Sequence, residues 1–143
     1  VDLRFIVAVI KINNDLERVA DQAVNISNRI KSISGKNLGN YLFDYGRMTE
    51  LVRVMLKKSL DALVNMDAAM AQDVRDMDKK VNAIRNDAYD AMKKAVKESP
   101  DYAGQIVNRY LIAMHLERIG DHAGNIAEEV IHLVGGKIVR HTD

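Results

Sequence analysis

Glu17, Asp21 and Asn25 recur one hundred residues later as Glu117, Asp121 and Asn125. Positions four apart lie one turn apart on the same side of a helix. Each set therefore forms an oblique stripe of carboxylate and amide oxygens, and the second continues into Glu128 and Glu129. Two carboxylates at this spacing repel and slightly disfavour the helix unless something neutralises them. A hard or borderline cation would do so, because such oxygens are its natural ligands. Arg18 and Arg118, beside the glutamates, offer the plainer alternative of solvated or salt-bridged charge. Asp78 and Asn82 form a further pair four apart, each one position after an apolar residue, Met77 or Val81. Packed against the helix of Glu117 and Asp121, they would make a four-oxygen cluster from two helices. An exposed position beside an apolar seam is the competing reading.

The recurrence extends beyond the oxygens. Residues 16–26 read LERVADQAVNI and residues 116–126 read LERIGDHAGNI, while Ile6-Val7 and Ile12 match Ile106-Val107 and Ile112. Such self-similarity marks two copies of one supersecondary unit. Core packing explains the repeated Leu, Ile and Ala, but not the repeated Glu, Asp and Asn. Other polar residues are less telling. Glu129-Val130-Ile131-His132 has the Glu-x-x-His form found in carboxylate di-metal bundles, but that architecture needs a second copy, which the chain does not contain. His132 then reads as a surface residue. His115 and His122 read chiefly as surface residues too, with a supporting role beside the acidic stripe as the alternative. Gly120 and Gly124 would each cost about 1 kcal/mol inside a helix relative to Ala, which a close helix approach or room for an ion beside Asp121 would justify.

The elements that must carry these residues are four periodic segments. Ile6, Val9, Leu16, Val19, Ala20, Ala23, Ile26 and Ile30 give the first one apolar face, ended by Ser34–Asn40. Met48, Leu51, Val52, Met55, Leu56, Leu60, Leu63 and Val64 mark the second, which breaks near residues 65–67, where Asp67 would cap the next helix. In the third, Met70, Val74, Met77, Val81, Ile84, Ala88, Ala91 and Ala95 alternate steps of four and three, a coiled-coil-like seam. Ser99-Pro100 reads as cap and first residue of a fourth helix, which runs from about Asp101 to a stop at Gly135-Gly136, followed by a tail over 137–143. Helices of 25–30 residues span roughly 40 Å, and short connections make neighbours antiparallel, so an elongated antiparallel four-helix bundle is expected.

Composition agrees with an all-α fold. Of 143 residues one is proline, and Ala, Met, Leu, Lys, Arg, Asp and Glu abound. The absence of cysteine excludes disulfides, thiolate metal sites and thiol catalysis. Twenty-one basic residues against 20 acidic, with seven aromatics, offer neither polyelectrolyte attraction nor a stacking platform for nucleic acid. No phosphate-binding glycine loop or nucleophile elbow is present, so no catalytic residue is assigned.

The paired LERVADQAVNI and LERIGDHAGNI segments, with VDLRFIVAVIKINNDLER at the start and RYLIAMHLERIGDHAGNIAEEVIHLV near the end, resemble the signature of the PhoU family of bacterial phosphate-signalling proteins. The likeness covers essentially the whole chain. It implies a fragment of a six-helix, two-repeat fold lacking its first two helices: residues 1–34 would be the last helix of the first three-helix repeat and 41–136 the complete second repeat. The implied function is a non-enzymatic negative regulator of high-affinity phosphate uptake and of phosphate-starvation signalling. Such an adaptor stands between the ATPase subunit of a phosphate ABC transporter and a phosphate-sensing histidine kinase, in the cytoplasm and peripheral to the inner membrane through its partners. A homodimer is expected. The family's acidic motifs carry over to Glu17 and Asp21, to Glu117 and Asp121, and to Asp78 and Asn82, where Asn82 replaces a usual carboxylate. Asn25, Asn125, Arg18 and Arg118 would support them. The implied cofactor is an iron cluster or another divalent ion, whether iron, zinc, manganese or magnesium. The alternative function is a carboxylate-bridged metal-binding bundle with an oxidase or storage role.

Overall fold

The computed structural model describes residues 2–41 and 43–141, which form four long helices and no strand: α1 Leu3–Ile33, α2 Tyr45–Asn65, α3 Ala68–Glu98 and α4 Ala103–His141. Three of them begin at an aspartate whose carboxylate accepts a backbone N–H of the first turn: Asp2 from Arg4, Asp44 from Arg47 and Asp67 from Met70. The α2–α3 break falls where the sequence puts it. Met66 closes α2 in the left-handed conformation, with φ 50°, and Asp67 opens α3. At the next junction Pro100 opens one 3-10 turn, Pro100–Tyr102, ahead of α4, and Ser99 makes no side-chain cap bond.

One boundary differs from the expectation. Gly135-Gly136 does not stop the last helix, which continues to His141. Glycine ends a helix by turning left-handed, and among the described residues only Gly35 and Gly39 have a positive φ among the glycines. The segment read as a tail over 137–143 is helical as far as His141; Thr142 and Asp143 lie outside the described residues.

The fold follows from which faces are apolar. α2, α3 and α4 pack on one another, and among the described residues the helix that α1 packs on is α4, antiparallel to it. Met48, Met55, Val74, Val81, Ile106, Ile126 and Val130 are completely buried at the centre, each worth about 1.5–3 kcal/mol of transfer free energy. Ala62, Ala71, Ala88, Ala113, Ala123 and Ala127 are also fully buried and let the helices approach closely. The two repeat copies fare differently. Ile106, Tyr110 and Val130 of α4 are 0, 5 and 0% exposed, whereas their equivalents Ile6, Ile10 and Ile30 of α1 are 41, 64 and 51% exposed. The face that α4 buries against α2 and α3 is thus the face that α1 turns outward.

Candidate functional site on α3 and α4

α1 and α4 pack about a pseudo-twofold axis, but each copy of the acidic stripe meets a different environment because α2 and α3 pack on α4 and not on α1. The His122 ring nitrogen lies 2.9 Å from the Asp15 carboxylate, and the His115 ring nitrogen 2.8 Å from the Gln22 amide oxygen. Shifting by the repeat length of one hundred exchanges these pairs: 15 becomes 115, and 122 becomes 22. One turn pair further along, the Arg29 guanidinium donates to Asn108 at 2.7 Å. Seven-residue steps on both helices therefore give an antiparallel polar ladder, continued by the Lys11–Glu129 ion pair at 3.5 Å. This corrects the reading of His115 and His122 as surface residues. His115 is buried and His122 nearly so, both turned toward α1 and away from the acidic stripe. Burial, and then the charges of Arg118 and Arg29, push the His115 ring below the usual histidine range, so it is neutral near pH 7. His132 is exposed, as expected.

On its other side α4 meets α3, and there the acidic residues converge. Asp78 faces Asp121, and Glu117 forms an ion pair with Arg85. Buried Asp78 Oδ1 makes no hydrogen bond and lies against Gly120, where a Cβ would stand 3.7 Å from it. Burial pushes the Asp78 carboxyl above the usual range, and the charge of Asp121 and a hydrogen bond shared with it act in the same direction. Glu117 is raised by burial and by Asp78, with Arg85 and Arg118 opposing. Asp121 reaches solvent, yet the surrounding bundle strips enough water to raise it; Glu117 adds to this, while His122, the shared bond with Asp78, and Arg85 hold it back. Above these groups opens a polar cleft of about 400 Å³, walled by Arg75, Asp76 and Lys79 of α3 and by Gly124, Asn125 and Glu128 of α4.

The sequence-derived residues are thus partly assembled. Asp78, Glu117 and Asp121 come together as expected, and Gly120 faces Val81, Asp78 and Met55 at ordinary contact distance while Gly124 leaves open space at the cleft. Asn82 is half-buried on α3, and no hydrogen bond joins it to the carboxylates among the described residues. Glu17 and Asp21 are exposed on α1, away from that cluster. Asn125 donates to Asp15 at 3.4 Å, and Asn25 lines a hollow with Arg29 and His115, so both asparagines serve the α1–α4 junction. Arg18 and Arg118 are exposed, and the cation paired with Glu117 is Arg85 from the neighbouring helix rather than adjacent Arg118.

These residues do not fit a preformed metal centre. Glu117 is engaged by a guanidinium, and no group of three or more His, Asp or Glu side chains among the described residues is arranged to hold an ion. Arg85 and Asp15 escaped notice in the sequence. The signal was there for both: Arg85 follows Asp78 by two helical turns, and Asp15 is His115 displaced by the repeat length.

A long all-helical bundle built on two pseudo-symmetric copies of one acidic motif, with its ionisable groups paired between helices, defines a repeat-bundle protein. Residues 1–30 and 45–130 match the PhoU domain model, and the chain belongs to the PhoU domain family. It is 32% identical to a phosphate-specific transport system accessory protein PhoU homolog from Clostridium acetobutylicum, over 99% of this chain and 65% of that protein. It is 35% identical to the protein of the same description from Pseudomonas aeruginosa, over 98% of this chain and 58% of that one. The crystal structure of PhoU from Pseudomonas aeruginosa superposes with a TM-score of 0.89 at 33% identity, covering 94% of this chain and 65% of its own. The chain therefore spans somewhat less than two thirds of these relatives.

Proposed function

We propose that this chain is part of a regulator of phosphate uptake. It would dock on the ATPase subunit of a phosphate ABC transporter and on a phosphate-sensing histidine kinase, holding uptake and the starvation response down when phosphate is plentiful. The observation that carries this reading is the family match over residues 1–30 and 45–130, which include both copies of the repeated motif, together with relatives described as accessory proteins of phosphate-specific transport. The geometry supports an adaptor without catalysis, because its polar side chains join helix to helix and its cleft presents charges of both signs, Arg75 and Lys79 beside Asp76 and Glu128. No helix among the described residues is long and apolar enough to cross a membrane, and membrane contact would come through the partners at the cytoplasmic face. A second copy of the chain would pair with the first in a homodimer. An oxidase or storage role is less well supported, since Glu117 is already neutralised by Arg85.

The test is binding of the purified chain to the transporter's ATPase subunit and to the cytoplasmic part of the kinase, read by biolayer interferometry. Saturable binding weakened by Arg75→Glu with Lys79→Glu is the expected result. A chain of native helicity that binds neither protein would refute the adaptor reading.

A further inference from the structure

We infer that the resident cation of the α3–α4 carboxylate cluster in this chain is the guanidinium of Arg85, and that it holds the place a metal ion would otherwise take. Arg85 follows Asp78 by two turns of α3, so both side chains face α4, and its Nε forms the ion pair with Glu117 Oε2. Both atoms are buried. A guanidinium stays protonated throughout the working pH range, so this positive charge cannot be titrated away to admit a metal. It acts twice against an incoming divalent ion, by occupying one of the three carboxylates and by repelling the ion at short range.

Donor chemistry points the same way. Asn82 of α3, four residues after Asp78, brings a neutral amide where a further carboxylate would add charge. At the rim of the cleft Arg75 and Lys79 balance Asp76 and Glu128, so the rim adds no net negative charge. The Arg85 guanidinium thus offsets part of the carboxylate charge that would attract a cation.

The experiment titrates the chain with Mn²⁺ near neutral pH and follows the free-ion signal by electron paramagnetic resonance, with Zn²⁺ uptake after dialysis read by elemental mass spectrometry. The wild-type chain and Arg85→Lys should leave both metals essentially free. Arg85→Gln, and Arg85→Met as a second variant of similar length, should bind at least about tenfold more tightly, a change of about 1.4 kcal/mol. That gain should disappear when Asp121→Asn is added. Circular dichroism establishes which variants keep native helicity. Stoichiometric metal on the wild-type chain that is lost in Asp121→Asn would overturn the inference, and so would folded Arg85→Gln or Arg85→Met chains that bind no better than wild type. Neither outcome bears on transporter docking, which is measured separately.

Discussion

Asp15 of α1 and His122 of α4 lie 2.9 Å apart, and the same contact is repeated at 2.8 Å by the residues one repeat length away, His115 and Gln22. A pair repeated by pseudo-symmetry at the junction of two helices should hold the junction together. The prediction is that Asp15→Ala and His122→Ala each destabilise the chain by about 1 kcal/mol, and that the double variant loses less than the sum, as expected for partners in one hydrogen bond. Urea unfolding of the four proteins closes the cycle. Strict additivity would mean the two side chains do not depend on each other.

His115 adds a pH dependence at the same junction. Burial and the nearby Arg118 and Arg29 lower its proton affinity in the folded chain, while the unfolded chain binds the proton near pH 6.5. The unfolded state therefore holds more protons on the acid side. Stability is fully present above about pH 6.5 and is lost as pH falls toward the folded value. His115→Gln removes the titrating ring. The variant should lose less stability than wild type between pH 7 and pH 5.5, measured by urea unfolding at both values. Equal losses would place the acid sensitivity elsewhere.

Asp78 has the opposite sign. Its folded carboxyl is raised by burial, by Asp121 and by the bond shared with it, so the native state holds this proton more firmly than the unfolded chain. The stabilisation from that proton is complete below the ordinary carboxylate value near 3.9 and is lost as pH rises through the folded value. At neutral pH the cluster is therefore strained by its own charge. Asp78→Asn should raise the melting temperature at pH 7 by a few degrees, corresponding to about 1 kcal/mol, and the advantage should shrink toward pH 4. An Asn variant that melts lower than wild type at pH 7 would show that Arg85 needs the Asp78 charge.

What the sequence revealed and what it hid divide along a physical line. Apolar periodicity and caps act locally, so all four helices and the Asp67 cap are legible residue by residue. The convergence of Asp78 with Glu117 and Asp121 followed from the repeat and from seam positions. The partner of Glu117 was not legible, because helix rotation alone decides whether adjacent Arg118 or distant Arg85 reaches it. Histidines 115 and 122 were misplaced for a related reason: α4 is packed on two sides, by α1 and by α2 with α3, so a polar residue off the apolar stripe can still be buried. The Gly135-Gly136 stop failed because a glycine pair permits a left-handed turn without compelling one.

Gly39 shows where a glycine is required. Its φ is +59°, and an added Cβ would stand 2.9 Å from both Cβ and Oγ of Ser99. A left-handed backbone costs an ordinary residue roughly 1–2 kcal/mol, and the clash adds to it at the junction where α3 ends. Gly39→Ala should lower stability by at least about 1 kcal/mol, whereas Ser99→Gly with Gly39→Ala should recover the steric part and leave the backbone part. Thermal unfolding of the single and double variants separates the two. A harmless Gly39→Ala would mean that this loop relaxes freely.

Gly120 and Gly124 make a finer comparison, because both are helical and differ only in what lies opposite. A methyl at 124 would meet nothing within 4 Å, while one at 120 would lie 3.6 Å from Val81, 3.7 Å from Asp78 Oδ1 and 3.8 Å from Met55. Those are ordinary contacts, so both positions accept alanine, and helix propensity favours it by up to about 1 kcal/mol. At 120 the methyl also covers a buried carboxylate oxygen that has no hydrogen bond, which further penalises its charged form. Gly124→Ala should therefore stabilise the chain equally at pH 4 and pH 7. Gly120→Ala should come closer to it at pH 4 than at pH 7, because the raised Asp78 carboxyl is less charged on the acid side. Gly120→Leu exceeds the space between α3 and α4 and should cost about 1–3 kcal/mol at either pH. If the two alanine variants respond identically to pH, the contact between Gly120 and Asp78 does not govern the charge of the cluster.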